Sequence, residues 1–345
     1  MPPAQIRALP DDAARARLDP VLRIAFGVAA SFLVCESLGW YPTFLAPVLA
    51  AMLLASLPGP LPVKAGIALI FVQFAGAFTA FGVSALLLDV PAVLFGTIGL
   101  VIFMSFATIA AGRAFFPLLL VLVSFSTIPV VTMVSPDQGA LLPTAFGRGM
   151  IVAVVVTWLA HGLWPRLVEA AAGAGAATSS QPIRVAVAGT AIVLPMMLIF
   201  LLFGLTDALP VLIATVLLVV NFDPRRGAVQ GLGMLIGNLV GGLIALLCYG
   251  VLEIAPSLVA LTLISLLVGF VFAIPITNGG PRKAVALITL NQVVVMFSLA
   301  IAPGSSGSGI WLSRVIQFGT ACAFAVGMMM LVLPESGAGG STKEE

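Results

Sequence analysis

The sequence predicts an all-α, polytopic membrane protein with about 12 transmembrane helices in two parallel six-helix repeats. Three observations carry that reading. Apolar side chains make up 61% of the 345 residues and charged ones only 8%, with a mean hydropathy of +1.21, a balance that calls for lipid as solvent. The apolar residues form long unbroken runs, and a backbone in hydrocarbon must satisfy its own polar groups, so the runs are helices rather than strands of a closed barrel. The two halves of the chain also match one another.

The elements follow from breaking the runs at Pro, Gly and charged residues and asking for roughly 20 residues per span. In the first half the helices start near Pro20, Pro42, Pro62, Pro91, Ala114 and Pro143; in the second they start near Arg184, Ala208, Arg226, Pro256, Lys283 and Ile310. The second and eighth are short. Residues 1–19 form a cytoplasmic segment with Arg7, Arg15 and Arg17 balanced by Asp11, Asp12 and Asp19. A full-length span without a small-residue cleavage site follows it, which argues against a removable signal peptide. Residues 20–165 make the first repeat, 166–183 an Ala/Gly/Ser-rich cytoplasmic linker, 184–334 the second repeat, and 335–345 a disordered, acidic cytoplasmic tail.

Charge gives an independent check, because Lys and Arg collect in loops on the cytoplasmic side. With both termini inside a bacterial inner membrane, Arg7, Arg15, Arg17, Arg23, Lys64, Arg113, Arg166, Arg184, Arg225, Arg226, Arg282, Lys283 and Lys343 fall inside. Arg148 and Arg314 remain at the outer side.

The repeats align through their third helices. Gly66-Ile-Ala-Leu-Ile-Phe-Val-Gln73-Phe-Ala-Gly76 lies without a gap on Gly231-Leu-Gly-Met-Leu-Ile-Gly-Asn238-Leu-Val-Gly241. Asp89-Val-Pro91 answers Glu253-Ile-Ala-Pro256, Arg113 answers Arg282, and Arg148 answers Arg314. An even number of spans per repeat makes the halves parallel, related by an axis along the membrane normal. Equivalent polar positions near that axis become candidates for a path.

A net charge of +2 with scattered basic residues gives no nucleic-acid footprint. Cys35, Cys248 and Cys322 lack a CxxC spacing and read as small core residues, with no disulfide and no metal. Neither a P-loop, an HExxH, a G-x-S-x-G elbow nor a His/Asp cluster occurs, so the expectation is a non-enzyme without cofactors.

The candidate site residues are polar groups in apolar runs. Arg148 and Arg314 are fixed cations at matching places near outer helix ends, suited to an anion; the bland alternative is snorkelling to headgroups or pairing with Glu36, Asp89, Asp137 or Glu253. Gln73 and Asn238 lie in a glycine seam with Gly233, Gly237 and Gly241, where an amide needs a neighbour or a ligand. Asn291 and Gln292, with Ser124, Ser126 and Thr127 opposite, serve either substrate or inter-helix bonding. Glu36 is a proton carrier or a structural partner of Arg148. His161, beside Trp158 and Trp164, is an interfacial packing group or a proton relay. Arg225 and Arg226 can gather organic anions at the cytoplasmic mouth.

Leu209-Pro-Val-Leu-Ile-Ala-Thr-Val-Leu-Leu, Asp223-Pro-Arg-Arg-Gly227 and the run Gly231 to Gly242 resemble the signature of the fusaric acid resistance and aromatic acid exporter superfamily, and more distantly the plant aluminium-activated malate channels. The resemblance implies proton-driven efflux of organic or aromatic carboxylic acids, with a periplasmic membrane-fusion adaptor and an outer-membrane channel as partners and a second copy of the chain as a further one. The short linker after Pro165 departs from relatives with large cytoplasmic domains and fits a compact branch. A passive organic-anion channel would share the arginines without needing Glu36 to titrate.

Overall fold

The computed structural model describes residues 10–57, 59–113, 115–165, 182–203, 209–220, 227–302, 319–320, 323–325 and 327–328. Among these the regular structure is all helix, with no strand. Eleven helices follow in order: α1 (Pro10–Ser37), α2 (Leu45–Ser56), α3 (Val63–Leu86), α4 (Pro91–Ala110), α5 (Phe115–Val134), α6 (Pro136–Leu163), α7 (Pro182–Leu202), α8 (Leu209–Val220), α9 (Gly227–Ile254), α10 (Leu258–Thr277) and α11 (Pro281–Ile301). Nine of the described helices are long and apolar enough to cross a membrane. The molecule is a multi-pass membrane protein.

The start expected near Ile310 lies outside the described residues; most of the other helices begin within three residues of the breakers named above. Two do not. The first helix is already formed at Pro10 and runs through Pro20, with a span-like stretch at Arg17–Ser37. The sixth starts at Pro136, seven residues before the expected Pro143, which lies inside it. A proline inside a membrane helix costs one backbone hydrogen bond, but neighbouring helices accommodate it, so Pro143 did not end the element.

The packing is reciprocal. Helix α1 packs on α10 and α4 on α7; α5 meets α8 and α11 meets α2; α3 packs on α5 and α9 on α11. Each pair repeats the other with the halves exchanged, as two parallel repeats around one axis require. Glycines set the close approaches. A Cβ at Gly237 or Gly241 would collide with Thr289 or Gln292 of α11, so the expected glycine seam is the α9–α11 contact. Helices α1, α5, α6 and α11 are the most enclosed, whereas α3, α4, α9 and α10 turn apolar side chains such as Phe71, Leu100, Leu247 and Leu267 outward, as expected for lipid contact.

Candidate functional site

The site grows from the end of α1. The N–H of Gly39 donates to the Glu36 carbonyl and that of Trp40 to the Cys35 carbonyl, at 3.2 and 2.9 Å. Gly39 takes φ +61°, the left-handed conformation that closes a helix in this doubly bonded motif. The chain therefore turns abruptly, and Trp40 packs back on Cys35 with Ala46, Val152 and Val156.

Arg148 of α6 lies against that turn, with its guanidinium carbon 5.3 Å from the centroid of the Trp40 ring. An indole face attracts a cation by its quadrupole, the more so away from water. The Arg148 Nε is buried and has no hydrogen-bond partner. Glu36 stands nearby: both side chains act electrostatically on Cys35. Its Oε2 is likewise buried without a partner. The two do not form an ion pair among the described residues, so the expected alternative of a salt bridge between them is not what holds Arg148. Tyr41 completes the rim; burial first, and then the Glu36 charge, hold its hydroxyl above the usual phenol range.

Depth follows from helix register. Arg23 of α1 acts on His161 of α6, and Glu36 and Arg148 each lie 13 residues away along their own helices, about 20 Å at 1.5 Å per residue. Helix α6 then continues for 12 more residues to Pro136, about 18 Å further. Phe74, the twelfth of 24 residues in α3, packs against Gly147, whose Cβ would overlap its ring. Arg148 is thus midway along α6, and the expectation that it lies near the outer end of that helix is corrected. The cause is the earlier start of α6.

A hydrogen-bonded connection leads from Glu36 into the other half of the chain. Its side chain is hydrogen-bonded to Thr43, and the Thr43 and Ser298 hydroxyls are 2.5 Å apart. Both hydroxyl residues are almost wholly buried, at 1% and 2% exposure. While Glu36 is ionised it only accepts, so Thr43 then donates to Glu36 and Ser298 to Thr43.

The remaining candidates divide. Gln73 is buried and donates to the Ser124 hydroxyl at 3.1 Å, which donates in turn to the Leu120 carbonyl at 2.8 Å; Ser126 and Thr127 bond to the Val123 carbonyl. The Gln73–Ser124 bond ties α3 to α5, and the Ser126 and Thr127 bonds stay within α5. Asn238 and Gln292 are buried in the α9–α11 seam. Asn291 is buried with its Oδ1 unsatisfied. His161 donates from Nδ1 to the Thr157 carbonyl at 2.9 Å, leaving Nε2 buried and unpartnered. Arg314, Arg225 and Arg226 lie outside the described residues.

Sequence reasoning missed Trp40, Thr43 and Ser298. One signal was present: Ser298 follows Asn291 by seven residues in the largely apolar α11, which sets both on one face.

With this geometry in place, the chain can be set beside known families. Residues 20–160 match a family described as "Protein of unknown function (DUF2955)". The match runs from within α1 to within α6, and so covers Glu36, Trp40, Thr43 and Arg148 while leaving Ser298 beyond it. No curated protein and no solved structure matches the chain.

Proposed function

We propose that the chain is a transporter of a bacterial-type inner membrane that drives organic or aromatic carboxylic acids outward in exchange for protons. The observation that carries this reading is an arginine midway along an apolar spanning helix, stacked on Trp40 with its Nε unsatisfied, beside a carboxylate with an unsatisfied oxygen. An ionisable residue at that depth costs several kcal/mol or is put to use, and a guanidinium cannot discharge itself by losing its proton.

In this mechanism Arg148 takes the substrate carboxylate and Trp40 offers a face to an aromatic ring. Glu36 competes for the same cation. When a proton from outside neutralises Glu36, Arg148 turns wholly to the anion; when Glu36 releases that proton inward, its charge draws on Arg148 and weakens the hold on substrate. The resemblance to aromatic acid exporters supports the same substrate class and, as partners, a periplasmic adaptor and an outer-membrane channel.

The test is uptake of a labelled aromatic carboxylate, benzoate for instance, into inverted vesicles with and without an imposed proton gradient. Gradient-driven accumulation is expected in the native protein and in neither Arg148→Gln nor Glu36→Gln. Flux that ignores the gradient and survives Glu36→Gln, yet falls in Arg148→Gln, would mark a passive anion channel instead.

A further inference from the structure

We infer that the junction of α1, α2 and α11 holds a file of water molecules that carries protons to and from Glu36; this rests on the proton-coupled reading above. Four groups besides Glu36 place polar atoms along that junction. The Thr43 and Ser298 hydroxyls form its upper end, bonded to each other, with Thr43 bonded on to Glu36. Asn291 lies on the same face of α11 as Ser298, seven residues below it, about 10 Å along the helix. Ser31 lies on α1, five residues below Glu36. It stands one turn past Gly27, whose Cβ would meet Ala50 and Leu54 of α2, so it is turned toward α2.

The register between α1 and α11 is set by the Phe32 and Phe297 rings, 5.7 Å apart between centroids. Ser31 therefore falls between Asn291 and Ser298 in height. Both Ser31 Oγ and Asn291 Oδ1 are buried without a hydrogen-bond partner in the protein, at 0% and 6% residue exposure. A buried polar atom left unsatisfied costs about 1–3 kcal/mol, and bound water is the usual remedy where several such atoms share a space. About three waters at ordinary hydrogen-bond spacing bridge the interval from Asn291 to Ser298. Along such a file a proton moves by exchange of O–H bonds, each water giving one proton as it takes another, until the Glu36 carboxylate gains or loses one. The charged and titratable groups around the carboxylate are Cys35 from α1, Arg148 from α6 and Tyr41 from the turn after α1.

The position of this file differs from that of the substrate site. Arg148 and Trp40 lie on the α6 side of α1, whereas Asn291 and Ser298 come from the second half of the chain. Proton and anion would then reach Glu36 and Arg148 from different directions.

Thiol chemistry tests the water directly, because only a thiolate in contact with water reacts with a charged methanethiosulfonate. In a background with Cys35, Cys248 and Cys322 replaced by Ala, Ser31→Cys and Asn291→Cys are each exposed to 2-aminoethyl methanethiosulfonate. Ala153→Cys, in a wholly buried apolar cluster, serves as the dry control. Labelling of the first two but not of the control is expected; labelling no faster than the control would overturn the file. The double variant Ser31→Val/Asn291→Leu fills the junction with apolar groups and should slow gradient-driven benzoate flux by about tenfold or more while leaving benzoate binding unchanged. Unchanged flux would also overturn the inference. The two readings fail separately: if Glu36→Gln abolishes gradient coupling while the cysteines stay unlabelled, the coupled transporter stands and the file falls. If Glu36→Gln has no effect, the transport reading falls, and a labelled junction is then no proton path.

Discussion

A guanidinium held by a single stacked ring keeps its N–H donors available, and this distinguishes Arg148 from the polar residues that serve only to join helices. Gln73 is more deeply buried, but its amide donates to Ser124. Arg148→Lys keeps the charge yet loses the planar fork that matches a carboxylate and part of the stacking on Trp40. Benzoate affinity should fall by about tenfold in Arg148→Lys and by about a hundredfold in Arg148→Gln, as charge-assisted bonds of about 1.5–3 kcal/mol are lost. Equal losses in the two variants, measured by equilibrium binding, would mean that the charge contributes nothing without the planar fork. Gly39 acts through position instead. Gly39→Ala forces a side chain into the left-handed region at a cost of about 1–2 kcal/mol, which should appear as a lower melting temperature and altered Trp40 fluorescence. Glu36 and Arg148 were legible in the sequence because isolated charges in apolar runs are conspicuous. Trp40 and Ser298 were not, because what matters is their contact with residues far away in the chain, and hydropathy carries no record of such contacts.

Helix boundaries decide where those charges sit. The second helices are short, α3, α4 and α5 begin at Pro or next to a glycine-closed turn, and all of these were legible because their breakers coincide with real ends. Gly112, at φ +78°, closes α4 just before Arg113, and the pair Gly279 and Gly280 precedes Arg282 in the same way. Pro143 misled because a breaker rule drawn from water-soluble helices overstates its effect in lipid, where no competing solvent receives the freed carbonyl. The cost of that error was a misplaced depth for Arg148. The register that restores it rests on the contact between α3 and α6, where Gly147 admits the Phe74 ring. Gly147→Val should push the two helices apart and destabilise the protein by about 1–3 kcal/mol. Adding Phe74→Ala should recover part of the loss, a coupling that a double-mutant cycle on thermal stability in detergent would reveal.

At the scale of the whole molecule, the reciprocal packing of the halves is accompanied by polar groups that are not reciprocal. Ser124 faces Gly76 in α3 as Gln292 faces Gly241 in α9, so α5 and α11 correspond with an offset of 168 residues. Under that correspondence Asn291 and Ser298 of α11 answer Val123 and Val130 of α5, both apolar and buried. On that face of α5 the one polar side chain, Thr127, is satisfied by the Val123 carbonyl, whereas the Asn291 Oδ1 on α11 is buried and unsatisfied. Glu36 also has no acidic equivalent among the apolar residues late in α7. A symmetric scaffold thus carries an asymmetric site: the backbone doubles, while the chemistry gathers on the side built from α1, α2, α6 and α11. The consequence is a stoichiometry of one. Titration of the purified protein with benzoate should saturate at a single equivalent per chain, and Arg148→Gln should remove that equivalent altogether. If Arg314 instead forms a second, equal site in the other half, two equivalents will bind and Arg148→Gln will leave one behind. The distinction has a mechanistic reading, because a single anion site beside a single carboxylate fixes the coupling at one proton-carrying group per substrate, whereas two anion sites sharing Glu36 would leave one of them without a proton partner.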